Sequence, residues 1–108
     1  MQQRDDSAQT FKTPKVELRL FVAGMGPRST RAIADLQRLY ARYGEGCHIE
    51  IVDIYEQPGA AARAQIVAVP TLARERPLPK RRIVGTIANI EQVALSLGLT
   101  TDPLPGVA

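Results

Sequence analysis

Val16-Glu17-Leu18-Arg19-Leu20-Phe21-Val22-Ala23-Gly24-Met25-Gly26-Pro27 decides the fold. Val16, Leu18, Leu20 and Val22 alternate with Glu17, Arg19 and Phe21, the period-two pattern of a strand with one strongly apolar face. Ala23 to Pro27 then breaks it, because glycines accept positive φ and Pro27 has no backbone donor. Ser29 or Thr30 is placed to cap a helix whose Ile33, Leu36, Leu39 or Tyr40, and Tyr43 recur at helical spacing until Gly44. Past Gly46, Ile49, Ile51, Val52 and Ile54 are too β-branched for anything but a second strand, with Glu50 and Asp53 at its wetter positions. A strand, a helix and a strand in that order form a parallel pair with a crossover.

Outward from this unit, Pro58 suits the first turn of a short alanine-rich helix reaching about Ile66. Ala68-Val69-Pro70-Thr71-Leu72-Ala73 starts a strand with a proline, tolerated at a first position, an edge or a bulge, and a cis Val69-Pro70 bond is compatible with it. Arg74 to Pro79 is expected to turn, Arg82-Ile83-Val84 to return as a short strand, and Gly85 to stop it. Asn89 caps a last helix with Gln92 at the reciprocal position, and Ile90, Val93, Ala94 and Leu97 form its buried stripe before Gly98. The resulting αββα tail completes a βαβαββα order. Right-handed crossovers place the first and last helices opposite the middle one. The expected architecture is therefore an α/β, thioredoxin-like three-layer sandwich on a mixed sheet. Residues 1–15 read as a disordered N-terminal arm, 16–99 as the domain and 100–108 as a flexible tail.

Composition narrows the function classes. The 108 residues, 44% hydrophobic and 23% charged, fit one domain burying roughly 60 to 70% of its extended surface. One cysteine and one histidine, Cys47 and His48, exclude a disulfide framework and a structural zinc site; neither a metal nor another cofactor is expected. No apolar run approaches the roughly 18 to 20 residues of a membrane span, and residues 1–15 are too polar for a signal peptide, so a cytoplasmic protein without membrane contact is expected. The net charge of +3 favours anionic partners, but 5% aromatic content and no tryptophan leave little with which to stack bases, and nucleic acid is not expected as a partner.

A redox enzyme of thioredoxin type needs a thiolate at the turn after the first strand, where a helix N-terminus lowers its pKa. That turn is Gly24-Met25-Gly26-Pro27, without sulfur of that kind. Cys47, at the start of the second strand, reads better as a small buried hydrophobe, although a thiol-dependent redox role remains its alternative. His48 has no nucleophile or carboxylate poised beside it in sequence, so catalysis is not expected. The glycines before the helix lack the lysine and spacing of a phosphate-binding loop. Charge is densest between Arg74 and Arg82, where Arg74, Arg76, Lys80, Arg81 and Arg82 stand against Glu75 alone. A solvated hairpin edge protected by charge and proline explains it; so does a surface that docks a partner's carboxylates.

Five segments in order resemble the KaiB family of circadian-clock proteins over roughly residues 16–99. They are Leu20-Phe21-Val22-Ala23-Gly24 with Pro27 and Ser29; Val52-Asp53-Ile54 with Pro58; Val69-Pro70-Thr71-Leu72-Ala73; Arg81-Arg82-Ile83-Val84-Gly85; and Asn89 with Glu91. Gly24, Pro27, Pro70 and Gly85 are its turn residues. The resemblance implies a non-enzymatic adaptor that binds a KaiC-like RecA-type ATPase in a clock, timer or stress-response system, with a KaiA-like protein or a sensor kinase as further partners. It implies two accessible folds, a thioredoxin-like monomer and a tetrameric ground state whose C-terminal half is built differently. It points to Arg31, Arg81 and Arg82 as the ATPase-facing residues and to the His48 to Glu50 edge, with Glu50, as a second partner's site; Arg74, in the same charge-dense segment as Arg81 and Arg82, is a further partner-binding candidate. A KaiB-like sensor module of a signalling kinase is the alternative, although 108 residues leave no room for a kinase. The capped and striped Asn89 to Leu97 favours the thioredoxin-like form.

Overall fold

The computed structural model describes residues 15–100. Seven elements follow the expected order: β1 (Val16–Val22), α1 (Pro27–Tyr43), β2 (Cys47–Asp53), α2 (Pro58–Arg63), β3 (Thr71–Arg76), β4 (Arg81–Val84) and α3 (Ile90–Ser96). The sheet order is β2-β1-β3-β4. β1 pairs parallel with β2, from Val16 opposite Cys47 to Val22 opposite Asp53. β3 runs antiparallel to β1, with a register shift between Glu17 and Leu18, and β4 antiparallel to β3. The expected N-terminal arm, apart from Lys15, and the expected tail, apart from Thr100, lie outside the described residues.

The alternation of β1 becomes two cores. Leu18, Leu20 and Val22 face Leu36 and Leu39 of α1 and Ile90, Val93, Ala94 and Leu97 of α3, with Leu72 and Ile87 completing this main cluster. Phe21 points the other way and is fully buried with Val52, Ala60 and Ala73 under α2. The first and last helices therefore share one face of the sheet and the middle helix covers the other. Because α2 has only six residues, it covers part of its face. The remainder carries ion pairs instead of apolar side chains: Arg19 with Glu50 at 3.1 Å, Arg76 with Glu17 at 3.8 Å and Lys80 with Glu75 at 3.3 Å.

Three local expectations need correction. α1 starts at Pro27, two residues before Ser29, because proline fits a first helical position whose N–H would go unused; Gly26 precedes it without a side-chain cap. The Ser29 hydroxyl donates to the Ala23 carbonyl, and the Thr30 hydroxyl donates back to Gly26. α2 ends at Arg63 with Ala64 as its cap, short of Ile66. β3 continues through Arg76, so Arg74 and Arg76 belong to a strand and not to the turn. At the other end, Asn89 Oδ1 accepts from the Gln92 N–H at 3.2 Å, which is the expected cap of α3. The Val69-Pro70 bond is cis.

Candidate partner-binding surface

The turn after β1 is fastened by one carboxylate. Asp53 Oδ1, at the end of β2, accepts the Gly24 N–H and the Tyr55 N–H, each at 3.0 Å. Gly24 has φ +70°, and a Cβ there would also lie 3.2 Å from the Tyr55 ring, so only glycine fits without strain. Gly26, by contrast, is extended with φ −72° and needs no such freedom. Across the turn, Arg28 Nη2 donates to the Val69 carbonyl at 3.1 Å, tying the start of α1 to the approach to β3. Gly85, with φ +93°, donates its N–H to the Pro70 carbonyl at 2.9 Å. Gly24, Pro27, Pro70 and Gly85 thus come together at one end of the sheet.

That end holds no thiol. Gly24, Met25 and Gly26 occupy the turn, and Met25 is exposed. Cys47 pairs with Val16, at the opposite end of β1, about 20 Å away along a seven-residue strand. Its Sγ lies 3.8 Å from the Tyr43 carbonyl, and burial pushes the thiol pKa up. Desolvation disfavours the thiolate that exchange chemistry requires.

The candidate charges separate. Arg31 is exposed on α1 and lines a groove of about 310 Å³ with Arg28, Asp35, Pro70, Gly85 and Thr86. Arg81 and Arg82 are neighbours in β4 and so face opposite sides of the sheet. Arg81 stands opposite Arg74, on the side of α1 and α3. Arg82 stands opposite Ala73, on the side of α2, where its Nη1 donates to Gln65 O at 2.9 Å and its Nη2 to Ala64 O. It closes the C-terminal end of α2, a favourable place for a cation. Glu50 sits on the outer strand β2, bonded to Arg19, far from Arg31 in the topology.

Arg74 is not a surface contact. It is 7% exposed; its Nη1 donates to Leu97 O at 2.9 Å and its Nη2 to Pro79 O at 2.6 Å. Leu97 caps α3, so the guanidinium meets the negative end of that helix. A basic residue in a basic run was expected outside; the free carbonyls of a helix end and a turn hold it inside. Two polar residues of this region escaped the sequence reading, Arg28 and Asp35; Asp53 was read as a wetter strand position, without its role in fastening the turn. Asp35 had a legible signal, since Ala32, Asp35, Leu36 and Leu39 share the buried stripe of α1 at helical spacing.

The KaiB domain model matches residues 19–99. The circadian clock protein KaiB3 of Synechocystis sp. is 36% identical over 91 residues, covering 83% of this chain and 89% of the relative. The circadian clock oscillator protein KaiB of Synechococcus elongatus is 37% identical over 83 residues, covering 76% and 81%. Among solved structures, thioredoxin-2 of a malaria parasite superposes with a TM-score of 0.68 at 17% identity, over 79% of this chain and 84% of that one. The N-terminal domain of Synechococcus elongatus SasA gives 0.65 at 17%, over 87% and 92%. These two likenesses establish the thioredoxin-like fold, and the sequence matches carry the lineage. The chain is a member of the KaiB family.

Proposed function

We propose that this chain is a non-catalytic, cytoplasmic adaptor that docks on a RecA-type ATPase of the KaiC class within a clock, timer or stress-response system. The observation that carries the reading is the family match over residues 19–99 on a scaffold whose redox turn contains no cysteine. With no thiolate at that turn, what the scaffold offers is surface. Arg31 and Arg81 are exposed on the α1 and α3 side of the sheet and present cations to a partner's carboxylates. A KaiA-like protein at the Glu50 edge, a sensor kinase competing for the same ATPase, and self-association are further partnerships of this reading. The Cys47 redox alternative would require insulin reduction that Cys47→Ala abolishes.

The test is a calorimetric titration of the chain into a KaiC-class hexamer. Micromolar or tighter binding is expected. Arg31→Glu combined with Arg81→Glu should weaken it at least tenfold, about 1.4 kcal/mol, with thermal unfolding unchanged because both side chains are exposed. Absence of binding by the unaltered chain would overturn the proposal. Arg82 is left out of the pair because its bonds to α2 would mix stability with affinity.

A further inference from the structure

The groove beside Arg31 has a buried carboxylate at its base. Asp35 is 4% exposed. Its Oδ1 accepts from Arg38 Nη1 at 2.9 Å, whereas its Oδ2 has no hydrogen-bond donor among the described residues and stands 4.0 Å from Arg31 Nε. A carboxylate offers about four acceptor positions, and leaving one oxygen buried and unbonded is unfavourable. Pro27, Arg28, Pro70, Gly85 and Thr86 form the walls around it.

We infer that this groove receives an acidic segment of the partner protein in which a neutral donor side chain (serine, threonine, asparagine or glutamine) adjoins a carboxylate. The donor bonds Asp35 Oδ2, and the carboxylate meets Arg31 and Arg28 at the mouth. The local charges select this chemistry. Asp35 is one negative charge among Arg28, Arg31 and Arg38, so the mouth is left positive, which repels a lysine or arginine and attracts an anion. A wholly anionic group fails at the base, where like charges would meet without water. The inference rests on the proposed docking to a KaiC-class ATPase and specifies the contact.

The experiment titrates the full chain and its variants into that hexamer. In Asp35→Asn, Arg38 retains the carbonyl oxygen and the amide NH2 faces the groove, so the partner's donor loses its anionic acceptor; at least tenfold weaker binding is expected, with circular dichroism unchanged. Arg38→Gln breaks the ion pair but keeps the accepting oxygen, and its affinity should stay within threefold. Thr86→Glu places a like charge at the mouth from an exposed position and should weaken binding at least fivefold even if Asp35→Asn folds poorly. Unaltered affinity in Asp35→Asn, or equal losses in Asp35→Asn and Arg38→Gln, would overturn the groove assignment while leaving the docking proposal intact. Failure of the unaltered chain to bind would overturn both.

Discussion

Replacing Arg74 by alanine is expected to lower the stability of the domain by about 3 kcal/mol, a fall of about 15 °C in Tm for a domain this size. The guanidinium bridges the end of α3 and the turn that joins β3 to β4, through Leu97 O and Pro79 O. Its removal leaves both carbonyls without that donor and takes the aliphatic stem out of a packed site. The residue is 7% exposed, so water replaces the lost bonds poorly. Thermal unfolding followed by circular dichroism measures the effect. A Tm within about 3 °C of the unaltered protein would show that Arg74 faces solvent, as a partner-binding role would require.

Phe21→Ala should cost more, about 4 kcal/mol. The buried part of the second core is Phe21, Val52, Ala60 and Ala73, with Ile54, Ile66 and Val69 packed at its margin; Phe21 is its largest fully buried side chain and the main apolar contact under α2. Close packing lets Val52 and the flanking Ile54, Ile66 and Val69 relax only partly into the vacated space. Urea unfolding is expected to show a midpoint lowered in proportion with the slope nearly unchanged. A loss below about 1 kcal/mol would mean that α2 does not cover Phe21, and the three-layer arrangement would be wrong. The same substitution leaves Arg31 and Arg81 untouched, so any folded fraction should retain affinity for the hexamer.

What was legible in the sequence follows from how local each signal is. The alternation from Val16 to Val22 fixes the faces of β1 because side-chain direction in a strand depends on neighbours alone. The cap and stripe from Asn89 to Leu97 are equally local. Arg74 was illegible because its burial depends on carbonyls of Pro79 and Leu97, which only the folded chain brings to it. The start of α1 was displaced because Ser29 and Pro27 are both good helix-start residues; the hydroxyl found the Ala23 carbonyl and proline took the first turn. Arg81 and Arg82 look like one basic patch in sequence, and strand geometry alone parts them. Ile51 illustrates the reverse case: its β-branching correctly marks a strand, yet it is 44% exposed because β2 lies at the sheet edge.

The docking account requires the Gly85 loop to stand beside α1, an arrangement made by the β3-β4 hairpin and the packing of α3. Backbone chemical shifts and cross-strand contacts in solution test this most directly. Helical shifts across residues 90–96, with Thr71 close to Val84 and Leu72 close to Ile83, are the predicted result. Extended shifts across 90–96 in the predominant species, with those pairs apart, would contradict it and dissolve the surface on which the adaptor role depends.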